Sequence, residues 1–70
     1  MKLNLLGWRE RETRWGSMSQ HELVIEYNIE GTNRDIYVTL VLRDSDNAEE
    51  LAKQIATKIT PEAGTIERLS

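Results

Sequence analysis

The chain has 70 residues, 9 basic against 12 acidic side chains, a formal net charge of −3 and no cysteine. That length reads as one small domain, 1–70, which hides only roughly 60% of its unfolded surface on folding and has no room for a deep cleft between lobes. The lack of cysteine excludes a disulfide frame, a thiolate nucleophile and a cysteine metal cage, so stability has to come from the core or from a partner subunit.

Hydrophobic residues make up 39% of the chain, and they fall in ordered patterns, which points to a folded domain rather than a disordered tail. No apolar run approaches the ~20 residues that span a bilayer. The apolar stretch after Lys2 is too short for a signal-peptide core of about 7–15 residues, so a cytoplasmic location is expected. Charge is uneven: residues 1–20 carry four basic and two acidic side chains, and residues 21–70 carry five and ten. A global attraction to nucleic acid is not implied, although the basic start leaves a local one open.

Residues 2–8 are expected to form a first strand, with Gly7 marking a bulge or its end. Residues 9–19 read as an irregular or extended arm rich in Trp and Arg, ending in the polar cluster Gly16-Ser17-Met18-Ser19-Gln20. Residues 22–43 hold two alternating runs around Gly31-Thr32-Asn33-Arg34 and predict a β-hairpin. A four-residue loop there pairs Ile29 with Ile36, Tyr27 with Val38, Ile25 with Leu40 and Leu23 with Leu42. On the other face it sets Val24 opposite Val41 and Glu22 opposite Arg43. Such pairs contribute about 0.2–1 kcal/mol each. The same register puts Glu30 opposite Asp35, where like charges should fray the ladder.

Residues 47–59 predict an amphipathic helix with Ala48, Leu51, Ala52, Ile55, Ala56 and Ile59 on one stripe. Asp46 followed by Glu49 has capping-box spacing, and Glu49 precedes Lys53 by the favourable four residues. Thr60-Pro61 ends the helix, because a residue before proline avoids helical angles. Residues 65–69 can then form a short last strand. The expected fold is a small α+β domain: an antiparallel sheet of three or four strands in the order β-β-β-α-β. The helix packs on one face, against the inward side of the hairpin, and the other face is left open.

Candidate chemistry is sparse. Asp44-Ser45-Asp46-Asn47 begins like a calcium loop, but the required Gly and Glu positions hold Glu49 and Ile55. Acidic capping of the helix explains these residues better. His21 is the single histidine and lacks the companions of a zinc site. Neither a Gly-x-Ser-x-Gly elbow nor a phosphate-binding Gly-rich loop occurs. No catalytic residue, metal ligand, cofactor or small-molecule substrate is expected. An enzyme would have to complete its site at a subunit boundary, with His21 and Asp44 as donors.

The distinctive stretch is Trp8-Arg9-Glu10-Arg11-Glu12-Thr13-Arg14-Trp15, which holds two of the four aromatic residues. It has three readings. The tryptophans can cover the domain's own sheet. They can anchor a protein interface, where Trp and Arg are enriched. They can also stack on bases while the arginines hold phosphates. The outward hairpin face, with Val24, Tyr37 and Val41 among polar residues, is half apolar.

The order of paired strands, amphipathic helix and closing Gly64-Thr65-Ile66-Glu67-Arg68-Leu69 resembles small α+β modules such as the phycobilisome capping-linker domain. The resemblance is one of pattern over roughly the last fifty positions, without a shared diagnostic motif, and implies no functional residue. The expected role is a non-enzymatic protein-interaction module, self-associating or an accessory subunit. It would bind its partner through Trp8, Arg9, Arg11, Arg14, Trp15, Tyr37 and Val41. The alternative is single-stranded nucleic-acid binding through the arm from Trp8 to Trp15. A membrane partner is not expected.

Overall fold

A computed structural model describes residues 2–69. Three strands, β1 (Leu3–Trp15), β2 (Met18–Ile29) and β3 (Asp35–Val41), precede one helix, α1 (Ala48–Ile59), and a 3-10 turn over Pro61–Ala63. The sheet is antiparallel in the order β1-β2-β3, so β2 is central. This is the expected small α+β fold, with three strands.

The stretch expected to be an irregular or extended arm is the distal half of a long hairpin. β1 and β2 pair from Trp15↔Met18 to Leu3↔Ile29. Gly16 and Ser17 form a two-residue loop with Gly16 at φ +64°, a conformation that suits a tight hairpin. The strand is hidden in the sequence because both of its faces are polar there, which erases the hydrophobic period of two. Ion pairs across the strands supply what apolar contacts do not: Arg9 Nη2 lies 3.0 Å from Glu26 Oε1, and Arg11 Nη2 lies 2.9 Å from Glu22 Oε1. Gly7 does mark a bulge. The register shifts by one residue between Leu5 and Gly7.

The β2–β3 register differs from expectation by two residues. Leu23 faces Leu40, Ile25 faces Val38, Tyr27 faces Ile36 and Asn28 faces Asp35. The loop occupies residues 30–33 instead of 31–34, because Thr32 closes it early. Its amide and hydroxyl both donate to the Ile29 carbonyl, at 3.0 and 2.8 Å, and its hydroxyl accepts from the Arg34 amide. Gly31, at φ +83°, permits the turn. An even shift leaves every side chain on its expected face, so the apolar rows still meet. It also removes the Glu30–Asp35 clash: Asp35 accepts from Asn28 Nδ2 at 3.2 Å. Arg43 lies beyond β3, so the expected pair with Glu22 does not form.

The helix stripe buries Ala52 and Ala56. Because β1 flanks β2, α1 lies over β1 and β2 rather than over the β2–β3 hairpin alone. The core is Trp8, Leu23, Ile25, Tyr27 and Ala52, with Leu3, Leu5, Ile36, Val38, Leu51, Ile55 and Ile66 packed around it. The N-cap is Asn47, not Asp46. Asn47 Oδ1 accepts from the Glu50 amide at 3.0 Å. Asp46 instead accepts from the Arg43 amide at 2.9 Å and closes the preceding turn. Asn47→Ala is therefore expected to cost about 1 kcal/mol. Thermal melts of Asn47→Ala against the parent check this; an unchanged melt contradicts the assignment.

The expected last strand over 65–69 is not a strand. The segment makes one parallel bridge, Trp8↔Arg68. The Trp8 amide donates to the Glu67 carbonyl at 3.0 Å, and the Leu69 amide donates to the Trp8 carbonyl at 2.6 Å. The bulge interrupts the edge that a longer ladder would need. The molecule is elongated, 41 × 25 × 19 Å.

Candidate functional site

Side chains alternate across a sheet, so the pairing assigns each one to a face. The face away from α1 carries Arg9, Arg11, Thr13 and Trp15 from β1. Met18, Gln20, Glu22, Val24 and Glu26 join it from β2, and Tyr37, Thr39 and Val41 from β3. Val24 is buried there, between Arg9 and Thr39 in the ladder and flanked by the Arg9–Glu26 and Arg11–Glu22 pairs. Larger apolar side chains on the same face are open: Tyr37 is 55% and Val41 49% exposed on β3 beside Val24, and Trp15, 70% exposed, and the equally open Met18 lie at the hairpin tip, roughly 20 Å further along the strands.

Five of the seven residues singled out in the sequence meet on this surface: Arg9, Arg11, Trp15, Tyr37 and Val41. Two do not. Trp8 is 4% exposed and belongs to the core, because the bulge sets it opposite Ile25 on the helix-facing side. The Arg68 guanidinium lies 5.3 Å from its ring centroid, a cation–π arrangement. Arg14 points to the helix-facing side, where its Nε lies 3.6 Å from Glu12 Oε1. Trp8 and Trp15 therefore occupy opposite faces. Met18 is the addition. It stands opposite Trp15, and the two line a shallow hollow with Ser19 and Gln20. The signal in the sequence was Gly16-Ser17, which as a two-residue hairpin loop makes Trp15 and Met18 cross-strand neighbours.

The charges of both arginines on this face are paired with carboxylates, so it is not a basic surface, while Arg9 Nε is buried without a hydrogen-bond partner among the described residues. Glu22 accepts from the Thr13 hydroxyl at 2.8 Å and from Arg11 at 2.9 Å. The Thr13 hydrogen bond first, and Arg11 second, hold its carboxyl below the ordinary value of 4.5. The Arg43 amide similarly holds Asp46 below 3.8. A carboxyl with a lower pKa in the folded than in the unfolded chain stabilises the fold above the unfolded value. That stabilisation is lost as pH falls through the folded value. Stability is thus expected to decline below pH 4.5, and Glu22→Gln to flatten part of the decline. Urea denaturation near neutral pH and at about pH 3 measures it; an unchanged decline in Glu22→Gln contradicts the linkage.

On the helix-facing side, beyond the core, the Glu10 carboxylate bridges His21 and Arg68. Its Oε1 lies 3.1 Å from His21 Nε2 and its Oε2 lies 3.2 Å from Arg68 Nη2. The sequence had left His21 without a partner, since Glu10 meets it only once the distal hairpin is formed. Arg68 and Glu10 form a surface salt link that ties the last segment to β1, and the His21 side chain beside it is more than half exposed. Among the described residues, no group of three or more His, Asp or Glu side chains is placed to hold a metal. No helix among the described residues is long and apolar enough to cross a membrane.

No protein-family model, curated protein or solved structure matches this chain.

Proposed function

We propose that this chain is a non-enzymatic protein-interaction module, acting in the cytoplasm by self-association or as an accessory subunit. It docks through the sheet face opposite α1. The supporting observation is that Trp15, Met18, Tyr37 and Val41 stand exposed on that one face, Tyr37 and Val41 beside the Arg9–Glu26 and Arg11–Glu22 pairs and Trp15 and Met18 beyond them at the hairpin tip. Single scattered apolar residues need no explanation, but four large exposed ones sharing one face, with polar residues between them, suit a docking surface. Trp15 is the anchor: a rigid aromatic at the tip of a projecting hairpin, with no role in the core.

Trp15→Ala is expected to leave stability within about 0.5 kcal/mol of the parent. It should weaken partner capture by about 2 kcal/mol, roughly thirtyfold. Quantitative affinity capture from native lysate measures this, with Lys53→Ala on the solvent side of α1 as the control. A captured protein lost with Trp15→Ala and kept with Lys53→Ala supports the reading; equal capture by all three chains refutes it. Single-stranded nucleic-acid binding through an arm from Trp8 to Trp15 has no such support. Trp8 is in the core, and Glu26 and Glu22 hold the guanidiniums of Arg9 and Arg11.

A further inference from the structure

The free edges of the sheet are treated very differently. At Trp8 the edge of β1 is closed by the segment around Arg68. Past that point, five of the six residues 9–14 are charged, which is how natural sheets discourage edge pairing. β3 has neither protection. Residues 36–41 read Ile-Tyr-Val-Thr-Leu-Val, with no charge, proline or glycine. No residue of β3 is buried, and Leu40 on its helix-facing side is 39% exposed.

The hydrogen bonds say which groups this edge offers. The Leu42 amide donates to the His21 carbonyl at 2.8 Å, and the Arg34 carbonyl accepts from the Ile29 amide at 3.0 Å. Even-numbered residues therefore bond inward to β2, and Asp35, Tyr37, Thr39 and Val41 aim N–H and C=O outward. These four are symmetric about Val38, the midpoint of β3. If a second β3 is laid antiparallel about a two-fold axis at Val38, Tyr37 meets the partner's Thr39 and Asp35 meets the partner's Val41. Each pair exchanges two backbone bonds, roughly eight in all.

We propose that β3 pairs with β3 of a second copy about this axis, joining two chains into a dimer with one continuous six-stranded sheet. The inference goes beyond the docking reading, since it uses the edge of β3 rather than the sheet face and does not involve Trp15. A second copy fits because the match is self-complementary. The axis stands normal to the sheet, so both helices lie on one side. There Ile36 meets the partner's Leu40 and Val38 meets the partner's Val38, which extends an apolar layer that α1, lying over β1 and β2, leaves partly open. The only charged residue in the strand, Asp35, faces no like charge. The dimer also adds core to a chain whose buried apolar set, among the described residues, is seven residues, two of them alanine.

A strand edge is a small contact, so association is concentration-dependent, and sedimentation of the full chain over a concentration series should rise to twice 8.1 kDa. Tyr37→Lys with Thr39→Lys sets like charges opposite each other twice, as does Tyr37→Glu with Thr39→Glu. Each double variant, folded by circular dichroism, should dimerise about tenfold more weakly or worse, and mixing the two should restore the dimer. Val38→Cys gives an independent reading. The two positions form a non-hydrogen-bonded pair with Cα atoms about 4.5 Å apart, within disulfide range. Oxidation should crosslink that variant and leave Lys53→Cys uncrosslinked. A monomeric parent at every concentration, folded double variants that still dimerise, or Val38→Cys that crosslinks no more than Lys53→Cys overturns the proposal. A monomer that still loses capture with Trp15→Ala defeats the dimer and leaves the docking reading standing. A dimer whose capture ignores Trp15 does the reverse.

Discussion

Gly7→Ala is expected to destabilise the protein by about 2–4 kcal/mol, the combined cost of backbone strain and overpacking. Gly7 sits at φ +154° in the bulge, a conformation that an L side chain rarely adopts. Space is the second obstacle. A Cβ there would lie 2.6 Å from the Glu67 carbonyl oxygen and 2.7 Å from Leu69 Cγ. The leucine tip can move, but the carbonyl cannot without releasing the Trp8 amide that it accepts from. The substitution therefore forces a choice between the bulge and the closing segment. Gly31→Ala is the informative control, since its φ is also positive but nothing lies within 4 Å of the added carbon. It should cost only about 1 kcal/mol. Urea denaturation of both variants measures the difference, and equal losses would show that the last segment does not press on β1 as described.

The second large effect separates the two tryptophans. Trp8→Ala is expected to cost about 3–5 kcal/mol, through lost burial and the cavity left behind. For a chain of this size that is much or all of the folding free energy, which runs at about 0.05–0.15 kcal/mol per residue. The consequence should exceed a packing defect, because the Trp8 ring is buried with Leu23, Ile25, Tyr27 and Ala52 and also lies against the Arg68 guanidinium of the last segment. Trp15→Ala should be nearly silent in the same melt. Fluorescence offers a gentler check. In Trp15→Phe the remaining indole is Trp8, which should resist acrylamide until the protein unfolds. In Trp8→Phe the remaining indole is Trp15, which should be quenched freely in the native state. Equal quenching in the two variants would contradict the placement of the tryptophans on opposite faces.

These contrasts also show how far local pattern reaches. The alternation in residues 23–29 and 36–42 identified two strands and the face of each apolar side chain, because that pattern is a local consequence of strand geometry. It did not identify the register. Shifts by two residues are equivalent to the hydrophobic pattern, and the choice fell to the Thr32 hydroxyl and the Asn28 amide in the loop. Residues 9–15 were opaque for a related reason. An Arg/Glu/Thr stretch pairs well with β2 only when Glu22 and Glu26 are already aligned across from it, and no window of sequence contains both sides. The site follows the same division. Arg9, Arg11, Trp15, Tyr37 and Val41 were identifiable by residue type. Trp8 was misassigned because a one-residue bulge at Leu6 reverses the facing of everything after it.

The order of three strands and a helix, the apolar stripe of the helix and the alternation of the β2–β3 strands followed from the sequence alone, since each reflects spacing between neighbours along the chain. Only the tertiary structure decided that β2 is central, that Trp8 turns inward while Trp15 stays out, and that β1 is closed at its edge while β3 is left open. Those outcomes depend on residues that meet across a bulge, a loop or some sixty positions of chain, from Trp8 to Arg68. Their energies exist only once the pairing has formed.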